Sequence, residues 1–176
     1  PLLKVANKPI VEYNVDRLSL YGVSNITFSI KYLGEQIEDY FGDGSNHGVN
    51  VTYVREDKKL GTIGAVKLRE EYHNEHLLVM NSDILTNIDY EDMYQSFLES
   101  NADIIVATTS FKVQIPYGVV ETENGNVVGL KEKPTYTYYS NAGIYIFKKE
   151  LLDIIPKGEF YNATDLMNKI IELDMK

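Results

Sequence analysis

An apolar run that ends abruptly in small polar residues and a carboxylate is the most informative chemical pattern in this sequence. The strand-like run Leu77–Met80 is followed directly by the polar segment Asn81–Asp83. In open α/β sheets, ligands bind just beyond the carboxyl ends of the strands, and an aspartate there can hold Mg²⁺ against a triphosphate. A turn-forming aspartate has the same spacing. Asp83 is therefore either a Mg²⁺ ligand or a turn residue.

Two closely spaced glycines mark a second candidate site, at a loop-to-helix transition. The segment Leu60–Ala65 reads LGTIGA, with Gly61 and Gly64 three positions apart. Glycine lets the backbone approach a planar base or a phosphate closely, and the N-terminus of the following helix favours an anion. Such segments are more often packing devices, so the pattern alone leaves both interpretations open.

A carboxylate beside an ammonium group forms a third candidate site. Glu132 and Lys133 precede Pro134, and Asn141 follows a few residues later. A carboxylate accepts hydrogen bonds from sugar hydroxyls, and an ammonium group suits a phosphate. The same residues also fit a solvated charge run that ends at a proline.

The other glycine-rich and histidine patterns predict no chemistry. The segment Gly42–Gly48 has neither a dinucleotide fingerprint nor the Lys-Ser/Thr ending of a P-loop, and Asp43 lies where a phosphate would bind. We interpret this segment as a surface turn. The histidines at positions 47, 73 and 76 lack the spacing of metal ligands and have no partner cysteines.

Composition sets limits on the class of protein. The 176 residues are 44% hydrophobic and 24% charged, which is ordinary for one soluble domain. The net charge of -9 argues against a nucleic-acid surface but not against a small phosphorylated ligand. No apolar run approaches the roughly 20 residues that span a bilayer. The absence of cysteine is compatible with a reducing compartment, so we predict a cytoplasmic protein that binds neither nucleic acid nor membrane.

Alternating strand and helix patterns must position the candidate residues. Apolar periodicity predicts a helix that starts at residues 7–9 and ends at Gly22, followed by further elements in alternation. These are a strand at 25–31, a helix at 34–41, a strand at 50–54, a helix at 61–69, a strand at 76–80, a helix at 89–100 and a strand at 103–110. This order predicts a mostly parallel sheet that is covered on both faces.

The second half of the sequence has a different pattern. Strands are predicted at 119–121, 126–131 and 140–147, with turns rich in glycine and asparagine, which indicates antiparallel additions to the sheet. A final helix is predicted at 164–173, with Thr164 as its N-cap and Asp165 in its first turn. No linker or repeat interrupts the chain, so we predict a single domain over residues 1–176.

Taken in order, these segments resemble the nucleotidyl transferase family that makes nucleotide sugars, including its guanylyl- and thymidylyltransferases. Leu60–Ala65 resembles the family's Leu-Gly-Thr-Ala-Gly motif on the base side, with Ile63 in place of alanine. Asn81–Asp83 resembles its metal-binding Asn-Gly-Asp, with Ser82 in place of glycine. The other matching stretches are Pro1–Ile10, Pro116–Val120, Glu132–Pro134, Asn141–Gly143 and Thr164–Leu166. The resemblance implies the Rossmann-like, three-layer α/β/α mixed sheet of the nucleotide-diphospho-sugar transferase fold.

The resemblance also implies a reaction. A nucleotidyl group would pass from a nucleoside triphosphate to a sugar 1-phosphate, and pyrophosphate would leave. Asp83 would hold the Mg²⁺ ion and Lys133 would grip the sugar phosphate, which makes them the two catalytic candidates. The other implied contacts are Glu132 to sugar hydroxyls, Gly118 and Asn141 lining the sugar pocket, and Gly61 and Thr62 against the base. Glu56 lies where some family members read the base, and a carboxylate there favours guanine and hence GTP.

Two departures from the family pattern affect what the resemblance implies. The family's opening strand with its Gly-Gly-x-Gly-Thr-Arg triphosphate loop, and its later Trp-x-Asp-Ile-Gly segment with the second metal ligand, are absent from this sequence. The resemblance therefore implies a fragment, truncated at both ends and lacking the first strand, with little or no activity as given. Loss of a central strand would leave unpaired sheet edges, which another copy of the chain could fill as a homo-oligomer.

Two other functions remain open from the sequence. A non-catalytic regulatory subunit that binds a nucleotide sugar would keep the same fold. The second alternative is a nucleotidyltransferase that makes a related cofactor. The Glu132–Pro134 and Asn141–Gly143 segments favour a sugar pocket over this function.

Overall fold

The computed structural model describes residues 2–176, so Pro1, the first residue of the Pro1–Ile10 stretch, lies outside the described residues. The chain divides into two compact units. The first comprises residues up to Ile105 together with Ile144–Lys176, and the second comprises Val106–Gly143. No helix in the described part of the chain is long and apolar enough to cross a membrane.

The first unit begins with a small hairpin that leads into a helix. Strands β1 (Lys4–Val5) and β2 (Lys8–Pro9) pair antiparallel around Ala6 and Asn7. Both turn residues have positive φ values, 49° and 71°, as a type I′ hairpin turn requires. Helix α1 (Ile10–Leu20) follows directly after Pro9, and its predicted apolar face of Val11, Val15 and Leu18 is buried.

A parallel β–α–β unit follows helix α1. Strand β3 (Asn25–Ile30), helix α2 (Gly34–Phe41) and strand β4 (Asn50–Arg55) lie close to their predicted bounds. β3 and β4 pair in parallel register from Asn25 opposite Asn50 to Ile30 opposite Arg55. Side chains from α1, α2, β4 and the residue before β4 form one buried cluster, and apolar side chains of β3 pack against it. Its buried members are Val11, Val15, Phe41, Val49 and Val51.

The helix predicted over residues 61–69 is shorter and less regular than expected. Helix α3 covers only Gly61–Gly64, and a 3₁₀ turn continues over Ala65–Leu68. Arg69 is already extended, and its guanidinium donates to the hydroxyls of Thr27 and Thr52 on β3 and β4. These side-chain bonds hold Arg69 against the parallel pair and end the helix before it.

A second sheet lies after the 3₁₀ turn. Its strands are β5 (His76–Met80), β6 (Ile104–Gln114) and β9 (Thr135–Lys148), in the order β5-β9-β6. β5 has its predicted bounds and pairs antiparallel with the end of β9, from His76 opposite Lys148 to Met80 opposite Ile144. Helix α4 (Tyr90–Ser100) has Asp89 as its N-cap, which accepts from two first-turn N–H groups.

The two sheets of the first unit are separate. Among residues 2–176, β3 pairs with β4 alone and β5 pairs with β9 alone. One edge of β3 and one edge of β5 therefore carry backbone N–H and C=O groups without a strand partner.

The second unit contains a hairpin that the sequence predicted. Strands β7 (Val119–Glu123) and β8 (Asn126–Lys131) pair antiparallel, with a register shift after Glu121. Asn124 and Gly125 form the tight turn with positive φ values of 48° and 81°. The outer parts of β6 and β9 also belong to this unit, and both strands extend further than predicted.

The last helix is capped two residues before the expected position. Helix α5 spans Ala163–Glu172, and its N-cap is Asn162, so the prediction of Thr164 as N-cap is wrong. Asp165 accepts from the Asn162 N–H at 2.8 Å and the Asn162 side chain receives a bond in return. This reciprocal pair requires an acceptor three residues after the cap, which Asp165 supplies for Asn162 and not for Thr164.

An ion pair joins the start of β6 to the end of β9. Lys148 Nζ lies 2.8 Å from Asp103 Oδ1, and the Lys176 N–H donates to Asp103 Oδ2 at 3.0 Å. These two hydrogen bonds, from Lys148 first, lower the pKa of Asp103 below its ordinary value of 3.8. Because the charged form is favoured in the folded state, Asp103 stabilises the fold above that value and loses this contribution as the pH falls below it.

We therefore expect Asp103→Asn to lower the free energy of unfolding at neutral pH by about 0.5–1 kcal/mol. The difference between variant and parent should shrink as the pH falls below 3.8, and it should vanish below the lowered pKa of Asp103 in the folded parent. Urea unfolding followed by circular dichroism at several pH values measures both effects. Asp39→Asn, at an exposed carboxylate of α2, is the matched control. A difference that persists unchanged at low pH would show that the charge is not responsible.

Candidate active site

Asp83 lies at the carboxyl end of β5, where the sequence placed it. The residue occupies the turn that follows the strand, and its side chain is exposed. Within residues 2–176 its carboxylate has no hydrogen bond or ion pair. Both carboxylate oxygens of Asp83 are therefore available to a ligand.

Helix α1 anchors the loop that carries Asp83. Asn14 is the one buried polar side chain in the described chain, with 4% exposure, and its Nδ2 lies 3.4 Å from the Ser82 carbonyl oxygen. One turn later, the Arg17 guanidinium donates to the Ile88 carbonyl oxygen. The sequence analysis did not identify Asn14 or Arg17 as site residues. An asparagine between Val11 and Leu18 on an otherwise apolar helix face was the available signal.

Gly61 and Gly64 are required by packing against the segment before α5. Gly61 has a φ of 80°, and a Cβ there would lie 2.6 Å from the Tyr161 carbonyl oxygen. A Cβ at Gly64 would lie 2.7 Å from the Glu159 carbonyl oxygen. Packing alone therefore accounts for both glycines, which was one of the two interpretations left open by the sequence.

Hydrogen bonds lock the same two segments together. The Tyr161 carbonyl accepts from the N–H groups of Ile63 and Gly64, at 3.2 and 3.0 Å, and the Tyr161 N–H donates to the Leu60 carbonyl at 2.8 Å. The Thr62 hydroxyl accepts from the Ala163 N–H at 2.8 Å. Two motifs that lie about a hundred residues apart in the sequence thus form one structural unit.

Glu56 is engaged by the protein itself. The Ser29 hydroxyl donates to Oε1 at 2.5 Å, and the Leu60 N–H donates to Oε2 at 2.9 Å. Glu56 therefore connects the carboxyl ends of β3 and β4 to the residue before α3. Each oxygen retains a further lone pair, but the side chain is held in place by these contacts.

The second unit brings Gly118 and Glu132 together. Val119 lies opposite Lys131 in the hairpin, so the residues just outside this pair face each other. A Cβ at Gly118 would lie 3.3 Å from Glu132 Oε2. The absence of a side chain at Gly118 leaves this carboxylate accessible.

Lys133 has an unusual backbone conformation. Its φ is 45°, in the left-handed region that costs an ordinary residue about 1–2 kcal/mol. The next residue, Pro134, accepts from the Ile115 N–H at 3.0 Å, which holds the turn. The Lys133 side chain is exposed and has no partner within the described residues.

Asn141 shapes the backbone of β9. Its Oδ1 accepts from the Gly143 N–H at 2.8 Å, and Gly143 has a φ of 73°. The side chain therefore closes a local turn within the strand. This bond fixes the orientation of the Asn141 carboxamide.

The predicted site residues fall into two groups. Glu56, Gly61, Thr62 and Asp83 belong to the first unit, whereas Gly118, Glu132, Lys133 and Asn141 belong to the second. Within the first group, Leu60 links Glu56 to Gly61, and no hydrogen bond joins Asp83 to either. The first unit thus offers a free carboxylate, and the second offers a carboxylate and a free ammonium group.

A different set of potential metal ligands lies between α1 and the 3₁₀ turn at Ser45–His47. Glu12, Asp16 and His47 have ligand atoms within 4.8 Å of one another, the one such group in residues 2–176. Lys8 forms ion pairs with both carboxylates, and the Tyr40 hydroxyl donates to Glu12. The hydrogen bond to Asp16 raises the pKa of Lys8, so the ammonium group supplies the positive charge that this cluster needs.

Known proteins are similar to this chain over nearly its whole length. A sequence profile of the family described as Nucleotidyl transferase matches residues 1–175. The UTP–glucose-1-phosphate uridylyltransferase of Synechocystis is 31% identical, over 98% of this chain and 50% of the relative. The D-glycero-alpha-D-manno-heptose 1-phosphate guanylyltransferase of Aneurinibacillus thermoaerophilus is also 31% identical, over 87% of this chain and 67% of the relative. The chain spans about half the length of most curated relatives that it matches.

A solved structure shows the same fold. A Bacillus anthracis protein designated a glucose-1-phosphate thymidylyltransferase superposes with a TM-score of 0.74 at 24% identity, over 99% of this chain and 74% of that one. At this identity the likeness concerns the fold alone. It confirms the predicted Rossmann-like mixed α/β fold of nucleotide-sugar transferases.

The contact between Gly61 and Tyr161 can be tested by adding one methyl group. Gly61→Ala should lower the free energy of unfolding by at least about 2 kcal/mol, because the new Cβ adds a backbone collision to an unfavourable φ. Urea unfolding measures the loss. Gly125→Ala is the matched control, since Gly125 has nearly the same φ, 81°, with nothing within 4 Å of the new Cβ. Equal losses in the two variants would contradict the packing explanation.

Proposed function

Because the chain belongs to the nucleotidyl transferase family, we propose that it is part of an enzyme that transfers a nucleotidyl group from a nucleoside triphosphate to a sugar 1-phosphate. The observation that carries this proposal is the free carboxylate of Asp83 beyond the carboxyl end of β5, on a loop that α1 anchors. The relatives named above, a uridylyltransferase and a guanylyltransferase, act on sugar 1-phosphates by name.

In the proposed reaction, a phosphate oxygen of the sugar 1-phosphate attacks the α-phosphorus in line, and the bond to pyrophosphate breaks. Such chemistry depends on positioning and on neutralising negative charge. Asp83 fits Mg²⁺, because this ion is commonly bound through one or two carboxylates together with phosphate oxygens and water. Bound there, Mg²⁺ would offset the charge of the triphosphate.

The second unit is proposed to hold the sugar phosphate. The free ammonium group of Lys133 would bind the phosphate, and Glu132 would accept from sugar hydroxyls beside Gly118. Asn141 would contribute its fixed carboxamide. The strained backbone of Lys133 supports this role, because strain of this kind tends to persist at functional positions.

The first unit is proposed to hold the base. Gly61 and Thr62 would lie along it, and Glu56 would accept from guanine, which makes GTP the proposed nucleotide. The contacts from Ser29 and Leu60 support this role to the extent that they hold the Glu56 carboxylate rigidly. The same contacts also give Glu56 a structural role in the turn before α3.

Asp83 and Lys133 can be tested in the natural gene product. Asp83→Asn should lower kcat/KM for pyrophosphate release by about 100-fold or more, since it removes a charge from the transition state. Lys133→Gly should cause a similar loss while leaving the free energy of unfolding unchanged or up to about 1 kcal/mol higher, because glycine relieves the left-handed strain.

The assay uses Mg²⁺, each common nucleoside triphosphate and a panel of sugar 1-phosphates. Unchanged rates in both variants would rule out the proposed site. No pyrophosphate release from a folded protein that still binds a nucleotide sugar would favour the regulatory subunit instead. The same assay on the 176-residue chain tests the prediction that this chain alone has little or no activity.

Cytoplasmic location and homo-oligomerisation remain predictions.

The proposed role of Glu56 can be separated from its structural role. Glu56→Gln should lower kcat/KM for GTP by about tenfold relative to UTP, because its NH₂ group would face one of the two guanine donors that the carboxylate accepts from. Ser29→Ala removes one support of the Glu56 carboxylate but leaves its charge, so it should lower the GTP value relative to UTP less than Glu56→Gln does. An equal effect of Glu56→Gln on both nucleotides would show that Glu56 only fixes the turn.

A further inference from the structure

A large cavity lies in the first unit, away from the proposed site. Its volume is about 710 Å³, and it is formed by the 3₁₀ turn after α3, the loop before β5 and the 3₁₀ segment after β9. The lining residues are Lys67, Arg69, Glu70, Glu71, Tyr72, His73, Lys149, Glu150, Leu152, Asp153 and Lys157.

The topology separates this cavity from Asp83. The lining residues precede β5 or follow β9, and the antiparallel register places His76 opposite Lys148. The cavity therefore lies at the amino end of β5, whereas Asp83 follows its carboxyl end. A ligand of the cavity does not contact the proposed catalytic carboxylate.

The acidic residues of the cavity are more exposed than three of its cations. The half-buried charged residues are all cations, namely Lys67, Arg69 and Lys149. All four acidic residues, Glu70, Glu71, Glu150 and Asp153, are exposed at the rim, together with one further cation, Lys157. The floor thus carries three positive charges in a chain whose net charge is -9.

Arg69 and Tyr72 are held rigidly in the lining of the cavity. The guanidinium donates to Thr27, Thr52 and the Glu71 carbonyl, and it lies 5.3 Å from the centre of the Tyr72 ring. The Tyr72 hydroxyl donates to the Val66 carbonyl at 2.8 Å. These contacts fix one positive charge and one aromatic surface in place.

The two floor lysines retain hydrogen-bonding capacity. Lys149 Nζ donates to the Tyr72 carbonyl at 3.3 Å, and Lys67 Nζ lies 3.6 Å from a carboxylate oxygen of Asp153. Asp153 is 91% exposed, so its carboxylate can return to water when a stronger acceptor enters. An ammonium group has three donors, which leaves at least one on each lysine for a ligand.

We propose that this cavity binds a small molecule that carries a phosphate group and several hydroxyls. Three cations on the floor match a phosphate dianion better than a single carboxylate. The cavity is much larger than phosphate alone and falls in the range of about 300–1,000 Å³ typical of small-molecule sites. The rim carboxylates accept hydrogen bonds from hydroxyls, and they repel polyanions such as nucleic acids.

The test uses three probes that separate the two parts of this chemistry. Glucose 6-phosphate carries both parts, inorganic phosphate carries only the anion, and glucose carries only the hydroxyls. Titration into the ¹⁵N-labelled chain without Mg²⁺ should shift amide signals of residues 67–73 and 149–157. We expect glucose 6-phosphate to bind with a Kd of about 1 mM or lower, phosphate to bind more weakly and glucose to give no shift.

Charge variants connect the binding to the cavity floor. Lys149→Gln should weaken glucose 6-phosphate binding about tenfold, because it removes a charged hydrogen bond. Lys169→Gln removes the same charge from an exposed position on helix α5 and should change nothing. Glu150→Gln should tighten binding about two- to fivefold, since it removes a like charge from the rim. An increase in affinity cannot result from damage to the fold.

Binding should also be independent of the proposed active site. Lys133→Gly should retain the shifts at residues 67–73 and 149–157, even where it abolishes pyrophosphate release. The proposal is wrong if glucose 6-phosphate produces no shifts in these segments at concentrations about tenfold above the expected Kd. It is also wrong if glucose binds as well as glucose 6-phosphate, or if Lys149→Gln and Lys169→Gln have the same effect.

Discussion

The exchange of backbone hydrogen bonds between Leu60–Gly64 and Tyr161–Ala163 is the contact on which much of the first unit depends. It requires close approach of two main chains, and glycine at two positions is what permits that approach. The contact fixes where α3 begins, and through the Asn162 cap it fixes where α5 begins as well. It also gives the LGTIG motif a structural explanation that is independent of any ligand.

Helix α1 plays a comparable part for the loop after β5. A purely apolar helix could bury the same area against β3 and β4, but it would leave the Ser82 and Ile88 carbonyls without these donors. Asn14 and Arg17 therefore make fewer apolar contacts than apolar residues would, but their hydrogen bonds fix the path of the loop. The position of Asp83 depends on this control, because its own side chain makes no contact that would orient it.

Local sequence patterns predicted much of the fold. The apolar run His76–Met80 and the glycine-bounded segment Gly34–Phe41 gave correct bounds, because polar or glycine residues mark their ends in the sequence. Strand β9 is longer than predicted, since its first half, Thr135–Asn141, is mostly exposed and lacks alternating burial. The end of α3 was also misjudged, because Arg69 leaves the helix to bind residues of distant strands.

In the candidate site, too, the positions of residues were predictable from the sequence, whereas their contacts with distant segments were not. The rule that ligands bind beyond the carboxyl ends of strands placed Asp83 after β5, where it lies. Glu56 was selected from the family resemblance, and it follows β4. The partners of Glu56 could not be predicted, since Ser29 lies on a neighbouring strand and nothing in the local sequence marks it. Asn14 was missed for a similar reason: its role exists only when α1 packs beside the loop after β5.

The open edges of β3 and β5 have a consequence for how copies of the chain behave in solution. A net charge of -9 repels copies over roughly 10 Å at moderate ionic strength, whereas an unpaired strand edge attracts another strand only at contact. Added salt weakens the long-range repulsion and leaves the directional backbone attraction intact. Colloidal stability of this chain therefore depends on a balance between its acidic surface and a few unpaired amide groups.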